Sequence, residues 1–451
     1  MNHLKLIVLG AAESGVGAAI LGKLKGYDVF VSDKAPIAPA YKQMLEQHQI
    51  AFEEGTHTES IILTANEVVK SPGIPEKAPI IAQIRAANIP IVSEIEFGSR
   101  YTSAKIIAIT GTNGKTTTTS LTYHVLEQAG LKVALAGNIG YSLALHIATQ
   151  PSPDYYVVEV SSFQLDDTPT FCPHIAVLTN ITPDHLDRYN YSFEQYVVAK
   201  FKITAHQSAQ NYFIYGADDA IIRAYLLEHN ATIAAHKLPF AINNTLSGSH
   251  AILEKGNMTI KSKLGEAIIP LSALPIKGKH NTYNALCACA VAHLLGVSAS
   301  QIEQGLSTFQ AIEHRLEPVA VINNISFIND SKATNIDSTW YALDAMTEPT
   351  VWIAGGTDKG NDYSTLLDLV TQKVKAIVCM CVDDSKIKAA YQHLRIPIVY
   401  APSAKQAVQA AYGLAHPNDV VLLSPACASF DLFKNYEDRG RQFKQAVLEL
   451  M

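Results

Sequence analysis

This 451-residue chain has few cysteines, no excess of basic residues and no long apolar run. None of its six cysteines forms a C-x-x-C pair, and their sparseness favours reduced thiols in a cytoplasmic protein over a disulfide framework. Lysine and arginine number 35 against 41 for aspartate and glutamate, so the charge balance does not favour nucleic-acid binding. The N-terminal stretch lacks the cationic start and the cleavage site of a signal peptide, and no apolar run reaches membrane-spanning length. We therefore expect a cytoplasmic location, no membrane insertion and no nucleic-acid partner.

The chain does have the balance of an ordinary globular protein, with 48% hydrophobic and 17% charged residues. Its length exceeds what one core supports, so we expect several domains. Apolar runs that end in polar or glycine-rich loops recur along it, which is typical of α/β domains with mostly parallel sheets. We predict three domains, with boundaries that give residues 1–95, 96–311 and 312–451.

The first predicted domain has the strand–helix–strand order of a Rossmann-like unit. Predicted strands cover Leu4–Leu9 and Tyr27–Lys34, and "VVKSPGIP" is a later strand that ends in a Pro/Gly loop. The stretch "GAAESGVG" has Ala12 where a dinucleotide fingerprint has its second glycine, which counts against NAD binding. An NAD-dependent oxidoreductase remains an alternative, and it is weakened further because the sequence offers no recognisable hydride-transfer site.

The stretch "IAITGTNGKTTTTS", Ile107–Ser120, predicts a strand, a phosphate-binding loop and the start of a helix. In such a loop, backbone N–H groups at a helix N-terminus converge on phosphate oxygens. Lys115 would reach the β- and γ-phosphates, and the hydroxyl of Thr116 would ligate Mg²⁺. The usual pattern has a glycine where this chain has Ile109, which changes the entrance of the loop and keeps its anion-binding part. The alternative is an ordinary strand–turn–helix connection.

Carboxylates follow two further predicted strands of the central domain. "VVEVSSFQL" carries Glu159, and "LTNITPDHLDRY" carries Asp184, His185 and Asp187. Because parallel strands present their carboxyl ends at one edge of a sheet, these side chains are expected near the phosphate-binding loop. Mg²⁺ prefers hard oxygen donors, so the carboxylates are candidate metal ligands.

The loop "TGTNGKTT" resembles the glycine loop of the Mur ligase superfamily, which also includes folylpolyglutamate synthase. "TNITPDHLD" resembles the metal segment of that superfamily, and "YVVAKFKI" resembles the segment whose lysine is carbamylated by CO₂. An ammonium would repel a metal ion, whereas a carbamate is an anionic oxygen donor. The resemblance implies two Mg²⁺ sites with Thr116, Glu159, His185 and carbamylated Lys200 as ligands.

The same resemblance implies an ATP site in the central, P-loop-type ATPase domain. In the superfamily, the segment that "KGKHNTYNALCA" resembles contacts the adenine side of ATP. An arginine and a lysine from the third domain would neutralise phosphate charge in the transition state. The expected ATP-binding residues are Gly111, Thr112, Asn113, Gly114, Lys115, Thr116, Thr117, Asn281, Asn284, Arg315 and Asp330. The expected catalytic residues are Lys115, His185, Lys200 and Lys332.

The third, Rossmann-like domain indicates which substrates to expect. "NDSKATN", "GGTDKG" and "LLSPACASFDLFKNYEDRG" are similar to segments of the branch that joins D-glutamate to UDP-N-acetylmuramoyl-L-alanine. The two carboxylates of D-glutamate call for hydrogen-bond donors and positive charge. The implied D-glutamate-binding residues are Thr334, Lys359, Ser429, Phe430 and Tyr436. The implied UDP-sugar-binding residues are Ser14, Asp33, Lys34, Ser71, Pro72, Gly73, Asn138, Ser161 and Gln164.

The implied reaction is amide-bond formation driven by ATP. A substrate carboxylate attacks the γ-phosphate, an amine attacks the resulting acyl phosphate, and a tetrahedral intermediate releases phosphate. The base that deprotonates the amine stays open, with His185 as one candidate. We expect a monomer. The alternatives are another amide ligase of the superfamily, such as an L-alanine-adding enzyme or folylpolyglutamate synthase, and a regulatory protein that hydrolyses ATP without ligation.

Overall fold

The structure, a computed structural model, describes residues 4–184, 186–243, 246–310, 312–358 and 360–451, without the side chain of Asp187. It is an α/β protein organised on three mostly parallel sheets, which confirms the fold class predicted from the sequence. Among the described residues, no helix combines the length and the apolar character needed to cross a bilayer.

The first sheet is a Rossmann-like unit. Its elements are β1 (Lys5–Leu9), α1 (Glu13–Leu24), β2 (Asp28–Asp33), α2 (Pro39–Gln47), β3 (Ala51–Glu54), α3 (Glu59–Ile62), β4 (Glu67–Lys70), α4 (Pro79–Ala86), β5 (Ile91–Val92) and α5 (Glu94–Ser99). All five strands are parallel, in the order β3-β2-β1-β4-β5. The apolar strand β1 is central and buried, as expected where helices cover both faces of a parallel sheet. The strands predicted at Leu4–Leu9 and Tyr27–Lys34 are confirmed to within one residue at each end.

The second sheet has nine strands and carries the predicted phosphate-binding loop. Its strands are β6 (Lys105–Thr110), β7 (Val133–Gly137), β8 (Tyr155–Glu159), β9 (Ile175–Leu178), β10 (Tyr212–Gly216), β11 (His236–Ala241), β12 (His250–Glu254), β13 (Asn257–Ser262) and β14 (Gly265–Pro270). Its helices are α6 (Lys115–Gln128), α7 (Leu143–Thr149), α8 (Ser162–Leu165), α9 (Phe193–Phe201), α10 (Ala220–His229), α11 (Lys279–Leu294) and α12 (Ala299–Ser307). The order is β14-β13-β12-β11-β10-β9-β6-β8-β7, parallel except for the antiparallel run β12–β14.

The strand register of this sheet decides where the site lies. Ile109 in β6 pairs with Glu159 of β8 on one side and with Val177 of β9 on the other. The loops after these three strands therefore leave the sheet at the same level. The sequence predicted this edge from the polar residues that follow each strand, and the pairing brings them together.

The third sheet has six strands in the order β15-β16-β20-β17-β18-β19, with only β15 and β16 antiparallel. Its strands are β15 (Glu317–Ile322), β16 (Ile325–Asn329), β17 (Thr350–Ala354), β18 (Val374–Cys379), β19 (Ile398–Tyr400) and β20 (Val420–Leu423). Its helices are α13 (Ile336–Asp344), α14 (Leu367–Lys373), α15 (Ser385–Tyr391), α16 (Ala404–Leu414) and α17 (Tyr436–Leu448). It is the second Rossmann-like domain that the sequence predicts.

The described residues group into two compact units rather than three. The first extends to Leu274 and includes Tyr283–Phe309, and the second comprises Pro275–Thr282 with Gln310–Met451. The first two sheets share one unit because α1 packs closely along α7. A Cβ added at Gly17 of α1 would lie 2.3 Å from Oγ of Ser142, so only glycine permits this approach. The exact domain boundaries stay predictions.

A buried carboxyl group lies where the first two sheets join. Glu94 accepts hydrogen bonds from Oγ of Ser142 at 2.9 Å and from the backbone N–H of Ala144 at 2.5 Å. Burial raises its pKa from the ordinary 4.5 to about 7, the two hydrogen bonds oppose that rise, and Glu13 adds to it. Glu13 itself accepts from the backbone N–H of Ser142 at 3.0 Å, so two acidic residues meet at the start of α7.

This arrangement predicts a pH-dependent stability. The pKa of Glu94 is higher in the folded than in the unfolded chain. Its contribution to the free energy of unfolding is therefore complete below pH 4.5 and is lost as the pH rises to about 7. We expect the free energy of unfolding of wild type to fall by roughly 3 kcal/mol relative to Glu94→Gln between pH 4.5 and pH 8. Urea titrations at the two pH values measure this, with the exposed Glu303→Gln as control. Parallel pH profiles for wild type and Glu94→Gln would contradict the expectation.

Candidate active site

The phosphate-binding loop connects β6 to α6 at the carboxyl edge of the second sheet. Gly114 caps the start of α6 with a φ of +81°, and a Cβ added there would lie 2.4 Å from Oδ1 of Asn284. A Cβ at Gly111 would lie 1.9 Å from Oγ1 of Thr179. Both positions therefore require glycine, which leaves the loop backbone open to an approaching anion. Ile109, in place of the usual first glycine, is fully buried in β6.

The end of β9 holds the loop in shape. Oδ1 of Asn180 accepts a hydrogen bond from the backbone N–H of Asn113 at 2.9 Å, and its Nδ2 donates to the Asn113 carbonyl at 3.0 Å. Oγ1 of Thr179 donates to the same carbonyl at 2.7 Å. These bonds satisfy the backbone N–H and carbonyl of Asn113, which lie in the loop and have no hydrogen-bond partner within a helix. The sequence did not predict this role of Thr179 and Asn180.

Two lysines converge on the inner side of the loop. Nζ of Lys115 donates to the carbonyls of Gly111 at 3.0 Å and Thr112 at 2.8 Å. Nζ of Lys200, from α9, donates to the Gly111 carbonyl at 2.7 Å and is fully buried. Burial, and then the charge of Lys115, hold the pKa of Lys200 well below its ordinary value, while Asp184 raises it. The amine of Lys200 is therefore disposed to be neutral, which is the form that reacts with electrophiles.

Tyr196 orients both the loop and Lys200. Its hydroxyl lies 3.1 Å from Oγ1 of Thr112 within hydrogen-bonding distance, and Nζ of Lys200 lies 4.4 Å from the centroid of its ring. Tyr196 precedes Lys200 by one turn of α9, so the helix itself sets this contact. The motif "YVVAKFKI" contains Tyr196, but the sequence alone assigned a role only to its lysine.

Glu159 ends β8 beside the loop and is 1% exposed. Its Oε1 accepts a hydrogen bond from Nδ2 of Asn138 at 2.8 Å. Its Oε2 is buried and has no hydrogen-bond partner within the described ranges. Burying a carboxylate oxygen without a partner is costly, so a cation is the natural occupant of this position. The residues around the loop thus fit a divalent metal ion. His185, the other predicted ligand from this part of the chain, lies outside the described residues.

The first sheet places the predicted UDP-sugar residues around a second glycine turn. A Cβ at Gly10, whose φ is +91°, would lie 2.5 Å from Oγ of Ser71. This hydroxyl is buried and finds no hydrogen-bond partner in the parts of the chain that the structure describes. Asp33, at the end of β2, accepts from the backbone N–H of Ala11 at 2.7 Å, and Lys34 is exposed. The two turns meet at the carboxyl edge of the sheet, where open α/β sheets bind ligands.

Two other predicted UDP-sugar residues have structural partners within the chain. Ser161 caps α8 by accepting from the backbone N–H of Gln164, and Oε1 of Gln164 accepts in return from the backbone N–H of Ser161 at 2.9 Å. This reciprocal cap fixes the helix that begins three residues after Glu159. Their predicted contact with substrate stays a prediction.

The second compact unit holds the predicted residues of the third domain. Asp330 is buried and accepts from Oγ of Ser424 at 2.9 Å. Burial raises its pKa to about 7, against the hydrogen bonds to its carboxylate and the nearby charge of Arg315. Nζ of Lys332 lies 3.7 Å from the ring centroid of Tyr436, a cation–π contact. An acid, two cations and an aromatic ring from three segments of the chain are therefore neighbours in this unit.

A buried arginine that the sequence did not single out holds the predicted D-glutamate segments together. Arg439 is fully buried, and its Nη2 and Nε donate to the carbonyl and Oγ of Ser331 at 2.8 and 3.0 Å. Its Nη1 donates to the carbonyl of Cys427 at 3.1 Å. "NDSKATN" and "SPACAS" are thereby joined, with Ser429 buried and Phe430 exposed. Burial lowers the pKa of Arg439 to about 10. Lys359, predicted to pair with a substrate carboxylate, lies outside the described residues.

The predicted adenine-side asparagines divide between the two units. Asn284 belongs to the first unit, where its Oδ1 accepts from Oγ1 of Thr118 at 3.1 Å. Asn281 belongs to the second unit, where its Nδ2 donates to the carbonyl of Lys277 at 2.8 Å. Both lie on α11. Their contact with a nucleotide stays a prediction.

Three domain families match the chain in the order of its sheets. They are the MurD N-terminal domain at residues 5–79, the Mur ligase middle domain at 109–292, and the glutamate ligase domain of Mur ligases at 314–427. The fold agrees with a solved MurC, a UDP-N-acetylmuramate–alanine ligase from Thermotoga maritima, at 19% identity, a TM-score of 0.61 and full coverage of both chains. The three domain matches, in this order along the chain, place it in the Mur ligase class.

Curated relatives narrow the class to one family. A UDP-N-acetylmuramoylalanine–D-glutamate ligase of Bacteroides fragilis is 52% identical over 99% of this chain and 100% of its own length. A protein of the same name from Christiangramia forsetii is 50% identical over 99% of each chain. The chain belongs to the UDP-N-acetylmuramoylalanine–D-glutamate ligase family.

Proposed function

We propose that the chain ligates D-glutamate to UDP-N-acetylmuramoyl-L-alanine at the expense of ATP, in the cytoplasmic synthesis of peptidoglycan precursors. The observation that carries the proposal is the meeting of Lys115, Lys200 and Glu159 around one glycine loop, in a chain of this family. A protein that only bound nucleotide would not require a buried lysine beside the loop or a third domain with a prepared polar site. We expect the enzyme to act as a monomer.

ATP would bind with its phosphates at the start of α6. The glycines at 111 and 114 permit close approach, and the helix N-terminus supplies N–H groups and a partial positive charge. Nζ of Lys115 would exchange its bonds to the loop carbonyls for the β- and γ-phosphates. Asn281, Asn284, Arg315 and Asp330 would complete the nucleotide site.

Magnesium would occupy two positions beside the loop. Thr116 would hold one ion, and the second would be held by Glu159, His185 and a carbamate on Lys200. The buried Oε2 of Glu159 supports the second position, because it has no partner among the described residues. The depressed pKa of Lys200 supports the carbamate, because only a neutral amine adds CO₂. Bound there, Mg²⁺ would neutralise charge on the transferring phosphoryl group.

The reaction would proceed in two nucleophilic steps. The carboxylate of the L-alanyl group attacks the γ-phosphorus and displaces ADP, which gives an acyl phosphate. The amine of D-glutamate loses a proton and attacks the acyl carbon, and the tetrahedral intermediate expels phosphate as the amide forms. The chain would contribute mainly position and charge, and Lys332 and Arg315 would neutralise the negative charge that shifts between oxygens.

Two further clusters would bind the substrates. The turn at Gly10 and the loop at Ser71 would receive the UDP-sugar, and the buried hydroxyl of Ser71 supports a polar ligand there. Ser14, Asp33, Lys34 and Asn138 would line the rest of that site. The segments joined by Arg439 would receive D-glutamate through Thr334, Lys359, Ser429, Phe430 and Tyr436.

The proposal predicts a strict substrate requirement. Phosphate release from ATP and Mg²⁺ should require both UDP-N-acetylmuramoyl-L-alanine and D-glutamate, and the product mass should equal the two substrates less one water. Controls replace D-glutamate with L-glutamate and the UDP-sugar with UDP-N-acetylmuramate. Release that is indifferent to the UDP-sugar, or that follows L-glutamate with a folate, would reject the proposal.

A further inference from the structure

Arg188 lies between the two sheets of the first compact unit and contacts both. It belongs to a short 3₁₀ helix, Leu186–Tyr189, which follows the predicted metal segment of the second sheet. Its Nη2 donates to the carbonyls of Pro72 at 2.7 Å and Ile74 at 3.0 Å, and its Nη1 lies 3.5 Å from that of Gly73. One guanidinium therefore binds three successive carbonyls of the loop after β4 in the first sheet.

The other contact of Arg188 lies within the second sheet. Its guanidinium lies 4.5 Å from the ring centroid of Phe163, in the helix that starts beside Glu159. Phe163 packs in turn on Tyr189, with ring centroids 6.0 Å apart. The planar group is thus held against an aromatic face while its N–H groups point to the loop, an arrangement that suits arginine better than lysine.

A separate ionic cluster anchors the base of the same loop. Lys70 is 2% exposed and lies 2.8 Å from Oδ2 of Asp167, and Arg85 lies 2.7 Å from Oδ1 of that residue. Lys70 and Arg85 also pair with Glu76 at the far end of the loop. Residues 71–76 are therefore fixed at their base by ion pairs, whereas their tip at 72–74 is held by Arg188.

We propose that Arg188 is a positioning residue that fixes the nucleotide-sugar loop at 71–74 relative to the metal segment and the phosphate-binding loop. The inference rests on the proposed function. The acceptor carboxylate is carried on a substrate bound by the first sheet, whereas the γ-phosphate is bound by the second. In-line attack needs the two at a set separation, and a clamp between their binding loops supplies it.

The test measures how Arg188→Ala changes the kinetic parameters of the enzyme for each substrate. We expect kcat/KM for UDP-N-acetylmuramoyl-L-alanine to fall on the order of 10- to 100-fold, while KM for ATP changes less than about 3-fold. Arg188→Lys should recover part of the loss, since an ammonium can still reach a carbonyl. Phe163→Leu should lower kcat/KM for UDP-N-acetylmuramoyl-L-alanine by a smaller factor than Arg188→Ala does. The matched control is Arg223→Ala, which removes an arginine whose Nη1 donates to the Ala217 carbonyl in the second sheet.

Direct binding measurements distinguish a failure of the proposed function from a failure of the positioning role. Calorimetry should show weaker binding of the UDP-sugar to Arg188→Ala, with ATP binding kept and a melting temperature close to that of Arg223→Ala. If wild type shows no activity that depends on the UDP-sugar, the proposed function fails. If wild type is active and Arg188→Ala keeps its kcat/KM for the UDP-sugar, the positioning role fails. Equal losses toward ATP and the UDP-sugar, with a lowered melting temperature, would also overturn it in favour of a purely structural role.

Discussion

Replacing Lys200 by alanine should lower the rate of ligation on the order of 10³-fold, the scale seen when one well-placed charge-stabilising group is removed. The amine is fully buried beside Lys115, and its pKa lies well below the ordinary value. As an ammonium it would repel both a metal ion and Lys115, whereas as a carbamate it would attract both. Phosphate release measures the loss, and added bicarbonate or a short carboxylate such as formate should restore part of it in the variant.

Lys202 offers a matched control two residues further on. It is partly exposed and pairs with Asp166 at 2.9 Å, so Lys202→Ala should keep nearly full activity. A second measurement does not depend on turnover. Protein equilibrated with isotopically labelled bicarbonate should show a carbamate resonance in wild type and in Lys202→Ala, but none in Lys200→Ala. Unchanged activity of Lys200→Ala, or a carbamate signal that persists in this variant, would contradict the proposal that Lys200 is carbamylated.

The sequence predicted the positions of those candidate site residues that belong to short contiguous segments, while their binding roles stay predictions. Gly111 and Gly114 have φ angles of +149° and +81°, a local backbone conformation that favours glycine, and Lys115 follows them at the helix start. Glu159 could be placed near them because parallel strands present their carboxyl ends at one edge. The positions of these residues could therefore be predicted without information on contacts between distant parts of the chain. The register between Ile109 and Glu159 then brought the predicted groups together.

The parts that the sequence did not predict depend on bonds between distant residues. Arg188 and Arg439 donate to backbone carbonyls, which every residue offers, so no pattern of residue types marks their partners. The buried Glu94 resembles any acidic residue at a helix start until its helix is packed on α7. The antiparallel run β12–β14 and the grouping of the first two sheets in one unit likewise follow from packing over long sequence separations.

Replacing Glu159 by glutamine should shift the Mg²⁺ requirement of the reaction as well as its rate. Oε1 already accepts a hydrogen bond from Asn138, and a glutamine carbonyl at that position can keep it. The group at Oε2 changes from an anionic oxygen to a neutral donor, which disfavours a cation. We expect kcat to fall roughly 10²- to 10³-fold, with half-maximal activity at a Mg²⁺ concentration at least about 10-fold higher.

Titrations of phosphate release against Mg²⁺ and Mn²⁺ at saturating ATP check this expectation. The control is Glu228→Gln, because this side chain is 81% exposed on helix α10 of the second sheet and should not alter either curve.

Thermal melting followed by tyrosine fluorescence should show that Glu159→Gln is at least as stable as wild type without metal. The substitution removes a buried charge that lacks a partner among the described residues. A variant that loses rate while its Mg²⁺ curve stays in place would show that Glu159 positions Asn138 and does not bind the metal. Loss of stability without metal would show that the buried carboxylate is satisfied by the chain itself.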